Sequence, residues 1–219
     1  MKGGSRFLGS KAWRNGLKYP IYVPKELAGI RLLLSEGRVS ETCVELWRLI
    51  QLGSDQAAAV LAFMYLRGVS WTEVSDAEVT EACRRVALRG NGFAQYVMAL
   101  HERNRQDYAK ECSWLNMANK HNFGASLGES ARLAGSIVGK PDLALPYFKR
   151  ALHVRHIPSM LYFVGYCVRG SYGWMWRIFG LIALPVALLT VAITLRYFPF
   201  SEKVFVHLLS DEGRLFDRD

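Results

Sequence analysis

Two pairs of residues in this sequence have the types that bind zinc, but their spacing does not fit a metal site. His101 and Glu102 begin a string like that of zinc proteases, which place a second histidine three residues after the glutamate. Arg105 stands at that position. His153 and His156 could share one face of a helix, yet no carboxylate or third ligand lies near them in the sequence. We therefore predict an exposed helix end at these two histidines and no bound metal.

A glycine-containing segment, Gly135–Lys140, is similar to a phosphate-binding loop without matching it. Three residues, rather than four, separate its glycines, and Pro141 stands where such loops carry the magnesium-binding serine or threonine. The segment is more typical of a turn at a helix end. Elsewhere no nucleophile elbow and no pair of acids in an apolar setting stands out. The sequence thus predicts no catalytic residues, no cofactor and no enzymatic activity of its own.

The four cysteines, Cys43, Cys83, Cys112 and Cys167, lie 40, 29 and 55 residues apart along the chain. This spacing contains no CxxC pair and is typical neither of a zinc site nor of a small disulfide-bonded secreted domain. Each cysteine lies among apolar residues with helical periodicity. We predict buried thiols that act as small hydrophobic side chains, and a disulfide pair is the alternative.

The composition indicates a folded, basic protein. Of its 219 residues, 51% are hydrophobic and 21% are charged, and the formal net charge is +9, which excludes a disordered, collagen-like or disulfide-scaffold chain. The central part contains seven basic residues, most of which lie on separate predicted helices without interleaved aromatic residues: Arg84, Arg85, Arg89, Arg103, Arg105, Lys110 and Lys120. Nucleic-acid binding of this kind needs a basic stripe with stacking aromatics. We therefore predict a solvated face and no nucleic-acid partner.

A helical pattern recurs along most of the chain. Apolar residues lie at offsets 4, 5 and 8 from Ala57, and Gly68 follows at offset 11. Related patterns start at Ala94, Ser126 and Ser159, so that successive starts are 37, 32 and 33 residues apart. This period is typical of helix-turn-helix repeats that stack into an α-solenoid. We predict an all-α fold of about four such repeats, followed by one apolar helix.

Three segments of these repeats resemble the Sel-one-like repeat family, a relative of the tetratricopeptide repeats. They are AAAVLAFMYLRG (57–68), RRVALRGNGFAQY (84–96) and SWLNMANKHNFGAS (113–126). The resemblance covers residues 25–170, and it implies an all-helical superhelix that binds other proteins as an adaptor, without catalysis. The repeat that starts at Ala94 departs from the family pattern, because Glu102 and Arg105 replace its tyrosine and glycine.

The predicted repeat register assigns six residues to the partner-binding groove. The first helix of each hairpin lines the concave side of such arrays, and offsets 6, 9 and 10 are not used for packing in this register. The predicted partner-binding residues are Phe63, Leu66, Arg67, Leu100, Arg103 and Asn104. Among them are an aromatic residue and arginines, which are typical of binding hot spots. The alternative is that Phe63 and Leu66 belong to the core.

The stretch Ile178–Leu195 contains no charged residue over 18 positions. As a helix it would be about 27 Å long, close to the ~30 Å hydrocarbon core of a bilayer. Trp174 and Trp176 lie before it and Tyr197 after it, as in the aromatic belts of membrane helices. We therefore predict a single transmembrane helix over residues 174–198.

The remaining segments are assigned from their charge. Residues 1–24 form a basic leader without acidic residues and without the apolar core of a secretory signal; a solvated leader, a transit peptide and a lipid-binding segment stay open. Residues 199–219 form a short tail. Basic residues crowd the N-terminal side of the apolar stretch: Lys149, Arg150, Arg155, Arg169 and Arg177. The positive-inside rule then predicts a cytoplasmic solenoid. The family resemblance implies a bacterial inner membrane as its location.

The segment Ile157–Arg169 is apolar on nearly every side. We interpret it as the first helix of a repeat whose second helix is missing, since Trp174 follows after only a short linker. An apolar helix left in water favours aggregation. We therefore expect the membrane helix, the lipid surface or a partner to cover it.

These features predict a single-pass membrane-anchored adaptor whose cytoplasmic repeats bind a partner protein. The family resemblance suggests a role in bacterial envelope assembly, such as polysaccharide synthesis or secretion. The alternative is an accessory subunit of a larger membrane enzyme or transporter complex. In that case the membrane helix, through Pro185, Thr190 and Thr194, would make the main contact.

Overall fold

The structure is a computed structural model that describes residues 22–69, 71, 73–137 and 140–197. The described residues form ten α-helices and no strand, which confirms the all-α prediction. The helices are α1 (Ala28–Glu36), α2 (Val39–Gln51), α3 (Asp55–Leu66), α4 (Asp76–Leu88), α5 (Gly92–Asn104), α6 (Tyr108–Lys120), α7 (Gly124–Arg132), α8 (Pro141–His153), α9 (Ile157–Val168) and α10 (Trp174–Tyr197). The predicted tail, 199–219, and most of the predicted leader, 1–24, lie outside the described residues.

Consecutive helices pack against each other as hairpins, and the first helices of neighbouring hairpins also touch. Thus α3 contacts α5, and α7 contacts α9. The first helices begin at Asp55, Gly92, Gly124 and Ile157, so their starts have the predicted spacings of 37, 32 and 33 residues. This arrangement of repeated hairpins is consistent with the predicted α-solenoid, because each hairpin buries its apolar side against the next.

Polar side chains define where four of the helices begin. The N-cap residues of α3 to α6 each accept a hydrogen bond from a backbone N–H of the first turn: Ser54, Ser75, Asn91 and Asp107. Ser75 is the N-cap of α4, and Asp76 is the first residue of the helix. Ser75 Oγ accepts from the Glu78 N–H at 3.2 Å, and the Glu78 carboxylate accepts from the Ser75 N–H at 3.0 Å. This capping box satisfies two N–H groups that the helix itself cannot pair.

Most of the helices end at a residue with left-handed backbone geometry. Gly68, which stands at offset 11 of the first repeat pattern, and Gly90 have φ of 77° and 97°, which only glycine adopts without strain. After α5 this position is Gln106, with φ 60°. The glycine missing from this repeat is thus replaced by a strained residue one position later, and α5 runs one residue longer than α3.

The buried apolar residues form two separate clusters. The first extends from Val23 to Ala125 and includes Phe63 and Tyr96. The second is centred on Phe148, Phe163 and Tyr166, whose rings lie 5.5 to 5.7 Å apart where they touch. The boundary falls within α7, which is built mainly of small residues, and a π-helical turn (Leu133–Ile137) follows it.

Close packing of α7 on α9 corrects the prediction for His156. A Cβ added to Gly128 would lie 2.6 Å from Ser159 Oγ, and one added to Gly124 would lie 2.8 Å from His156 Cβ. His156 is therefore buried, with its Nδ1 2.7 Å from Ser159 Oγ. Only His153 is exposed as predicted. The spacing of the two histidines could not show that α7, through Gly124 and Gly128, packs against His156 and buries it.

The cysteines follow the prediction at three of their four positions. Cys43, Cys83 and Cys167 are buried free thiols, and Cys112 is an exposed free thiol. Burial raises the pKa of Cys43 to about 11 and that of Cys83 further. Cys112 lies on the outer side of α6, where the apolar sequence context suggested burial that the fold does not provide.

The last hairpin differs from the prediction. The segment Ile157–Arg169 does have a second helix: α10 packs along α9, and Phe163 meets Trp176 edge-on at 5.7 Å. Within the part of the chain that the structure describes, no helix combines the length and the apolar character needed to cross a membrane. The transmembrane helix predicted over 174–198 is therefore not found there. The prediction treated the uncharged stretch alone, whereas its first half serves as a repeat helix in the fold.

Candidate interaction surfaces

Two of the six predicted partner-binding residues lie inside the protein. Phe63 is fully buried, and its ring lies 6.2 Å from that of Phe93 in the next hairpin. Leu100 is also buried, with 1% of its surface exposed. At Phe63 the structure thus matches the alternative that sequence analysis left open. Neither side chain is available on the surface to a partner.

A third predicted residue, Arg103, joins three helices inside the fold. Its side chain is 15% exposed and forms ion pairs with Glu111 of α6 and Glu129 of α7. Arg103 Nε lies 2.7 Å from Glu111 Oε1, and its Nη2 lies 2.8 Å from Glu129 Oε2. Arg132 completes the cluster by donating to the same Glu129 oxygen at 2.8 Å. Two cations thus balance two carboxylates.

The electrostatics of this cluster identify it as a structural clamp. Burial lowers the pKa of Arg103, but the Glu129 charge and the bond to Glu111 outweigh it and leave the pKa above its usual range. Beside the cluster, burial and then the Glu129 charge raise the pKa values of Tyr96 and Tyr162. Arg103 therefore stays charged and the two tyrosines stay neutral across physiological pH. The cluster is therefore suited to holding α5, α6 and α7 together and not to proton transfer.

The three other predicted residues lie at the C-terminal ends of α3 and α5, which are neighbouring first helices. Leu66 and Arg67 are partly exposed, and Asn104 is exposed. The Arg67 guanidinium lies over the Phe63 ring at 5.2 Å, a cation–π geometry. These three residues are the part of the predicted site that a partner could reach, and partner binding there stays a prediction.

No protein-family model, curated protein or solved structure matches this chain. The resemblance to Sel-one-like repeats therefore depends on the repeat segments alone.

Sequence analysis missed Glu111 and Glu129, the partners of Arg103. Their one usable signal was the surroundings of Glu129, which is the one acid in the small-residue helix GASLGESAR. Small residues at most positions of a helix allow a neighbouring helix to approach closely. An acidic residue on such a helix is therefore expected to lie near the neighbouring helix. Glu111 carried no such signal.

The residues that precede α1 also pack against the hairpins. The Tyr22 ring meets that of Phe93 edge-on at 4.9 Å and that of Phe123 at 6.0 Å. Val23 is fully buried, and its carbonyl accepts a hydrogen bond from Arg31 Nε at 2.9 Å. The fold thus includes the last residues of the segment that the sequence assigned to a leader.

Acidic side chains pair with several of the basic residues considered for nucleic-acid binding. Arg84 pairs with Glu81, and Lys110 pairs with Asp107. Arg89 pairs with Asp55. Paired cations attract a phosphate backbone less than unpaired ones, which favours the solvated-face interpretation. Among the described residues, no three His, Cys, Asp or Glu side chains are grouped so as to hold a metal.

Among the described residues, α10 carries most of the large apolar side chains that are exposed. Trp174 is 71% exposed and Ile182 is 72% exposed, and further large side chains of this helix face outward: Met175, Trp176, Ile178, Phe179, Leu181, Val186, Leu188, Leu189 and Ile193. Small residues face the neighbour instead, since Gly180 and Ala187 are buried. At 24 residues against 12 in α9, α10 is about 36 Å long against about 18 Å. Its main neighbour among the described helices, α9, therefore leaves most of the apolar surface of α10 uncovered.

Proposed function

We propose that this chain is a membrane-anchored adaptor: its helical hairpins bind a partner protein, and α10 attaches them to a lipid bilayer. The exposed apolar face of α10 is the observation that carries the proposal. A soluble monomer rarely exposes an apolar surface of this extent without a use for it. The proposal needs the face to contact lipid and does not need the helix to cross the bilayer.

The orientation in the proposal follows from charge. Basic residues before the uncharged stretch favour a cytoplasmic position for the hairpins. The repeat pattern and its resemblance to Sel-one-like repeats support the adaptor role. By analogy with that family, the proposal extends to a bacterial inner membrane and to envelope assembly, such as polysaccharide synthesis or secretion.

Flotation of the full chain with phospholipid vesicles tests the attachment. Ile182→Gln combined with Val186→Gln changes two exposed residues of α10, where each apolar side chain is worth about 1.5–3 kcal/mol when buried in lipid. We expect the double variant to leave the vesicle fraction while its circular dichroism stays unchanged. The matched control is Leu52→Gln with Leu88→Gln, two exposed leucines outside α10. Equal loss in both double variants would contradict the proposed attachment.

Photo-crosslinking in the source cell's membranes tests the adaptor role. A photoreactive residue at Asn104, which is exposed at the end of α5, should give one discrete protein adduct. The same residue at Leu88 is the control. If an adduct forms only from Ile193 on α10, the chain is an accessory subunit held through its apolar helix. If neither Asn104 nor Ile193 gives an adduct, the adaptor role is wrong.

A further inference from the structure

An apolar groove lies between α8 and α10, with α9 as its floor. Its volume is about 540 Å³, within the usual range of ligand sites. The lining residues are Leu145, Lys149 and Leu152 of α8, Phe163 of α9, and Met175, Trp176 and Phe179 of α10. The walls suit a flexible hydrocarbon chain, because they offer aliphatic and aromatic surface along two facing helices.

One positive charge lies in the wall of this groove. Of the described residues that line it, Lys149 alone is charged, and it is exposed. Lys149 forms no ion pair with any other described residue, whereas Arg103, Arg132 and Lys110 do. A lysine covers apolar surface with its stem and keeps its ammonium in water. The groove therefore presents one unpaired cation above an apolar floor.

We propose that this groove binds an anionic phospholipid, with an acyl chain against Phe163 and Trp176 and the headgroup phosphate at Lys149. The groove is continuous with the exposed face of α10 through Met175, Trp176 and Phe179, so a bilayer in contact with that face can supply the lipid. Basic pockets beside apolar helices bind anionic headgroups in this way. The inference rests on the proposed membrane attachment and adds to it a preference for one class of lipid.

Two measurements on the full chain test the site. Flotation compares vesicles of phosphatidylcholine alone with vesicles that also contain phosphatidylglycerol. Native mass spectrometry of the protein in mild detergent counts bound lipids after either phospholipid is added. We expect one phosphatidylglycerol per chain and a clear preference for it. Lys149→Glu should reduce that preference about tenfold, and Leu152→Trp, which fills the groove, should reduce occupancy without a change of charge.

Two controls and the outcomes separate this inference from general charge attraction. Lys120→Glu makes the same charge change at an exposed residue of α6, away from the groove. This variant should keep the preference for phosphatidylglycerol. A preference that Lys149→Glu leaves unchanged overturns the site, as does an equal loss in Lys120→Glu. Displacement of the phospholipid by equimolar oleate overturns the assignment to a phospholipid. A wild-type dimer that excludes lipid from the groove overturns it as well. Equal binding to both vesicles overturns this inference alone, whereas no binding to either overturns the proposed function.

Discussion

Gly180 of α10 lies against Cys167 of α9 with no space for a side chain. A Cβ at Gly180 would approach the Cys167 Cβ to 2.8 Å and the Val168 backbone nitrogen to 2.7 Å. These distances are too short for any relaxed contact, and a backbone atom cannot rotate away. The close approach of the two helices therefore depends on this glycine.

Replacing this glycine should loosen the last hairpin. Gly180→Ala is expected to cost about 1–3 kcal/mol of unfolding free energy, because the extra methyl overpacks the interface. Chemical denaturation of the full chain in detergent measures it. The control is Gly165→Ala in α9, where an added Cβ meets no atom within 4 Å and helix propensity favours alanine. If both variants are as stable as the wild type, the packing of α10 on α9 is not as described.

Removing Arg103 should destabilise the protein far more than removing an exposed arginine. Arg103→Met leaves the buried Glu111 carboxylate without its ion-pair partner and leaves Glu129 with Arg132 alone, at an expected cost of about 3–5 kcal/mol. Arg84→Met breaks an exposed pair with Glu81 and should leave the stability nearly unchanged, because water screens the pair. Thermal unfolding of the two variants gives the comparison. Similar melting midpoints would show that the clamp contributes little.

The capping box of α4 predicts a measurable and pH-dependent contribution. Ser75→Ala should cost about 1 kcal/mol, as N-cap serines do, whereas Ser40→Ala, on the exposed side of α2, should be neutral. Hydrogen bonds from Ser75 lower the pKa of Glu78. The stabilisation that the ionised Glu78 carboxylate provides is therefore fully present above its unfolded pKa of about 4.5. It is lost as the pH falls through the lower pKa of the folded state.

Comparing Glu78→Gln with the wild type across this window checks the sign. The stability difference should be constant near neutral pH and should shrink below about pH 4. A difference that grows on acidification would contradict the capping geometry.

The left-handed residue after α5 predicts a stabilising substitution. Gln106 has φ 60°, which glycine adopts without steric cost, so Gln106→Gly should raise the unfolding free energy by about 0.5–1 kcal/mol. Gly68→Ala, at φ 77°, is the opposite change and should lower it by a similar amount. Urea denaturation midpoints decide between the two signs.

Cys112 offers a test of orientation without any added reporter. It is the one exposed thiol among the four cysteines, while burial raises the pKa values of Cys43 and Cys83 and makes them poor nucleophiles. A membrane-impermeant maleimide should label Cys112 only after the cells are opened, if the hairpins are cytoplasmic. Labelling of intact spheroplasts would place them on the other side.

The helices could be predicted from the sequence, and the surroundings of their side chains only in part. Apolar residues at helical spacing and glycines at helix ends are local signals. They gave the spacing of α3, α5, α7 and α9 and placed each pattern start two residues after the first residue of its helix. Burial of Arg103 was not predictable in this way, because its partners lie 8 and 26 residues away. The prediction that Phe63 and Leu100 line the groove was wrong for a related reason. Whether such a position faces the groove or the core depends on which helix packs against it.

The role of α10 shows a different limit. Its uncharged sequence has the same composition whether it contacts lipid, a partner or α9. The small residues Gly180, Ala183 and Ala187, which are spaced to share one face of a helix, are the signal that indicates a helix neighbour. Exposed large residues such as Ile182 carry no sequence signal that distinguishes contact with lipid from contact with protein.

The boundary between the two apolar clusters has a mechanical consequence. A force applied through α10 reaches first the smaller cluster around Phe148 and Phe163, which α7 separates from the larger one. The small cluster has fewer buried side chains to resist the force, so α8, α9 and α10 should unfold while the earlier helices stay folded. Under tension the protein would therefore unfold in two steps at different forces. The first step would end at the π-helical turn after Arg132.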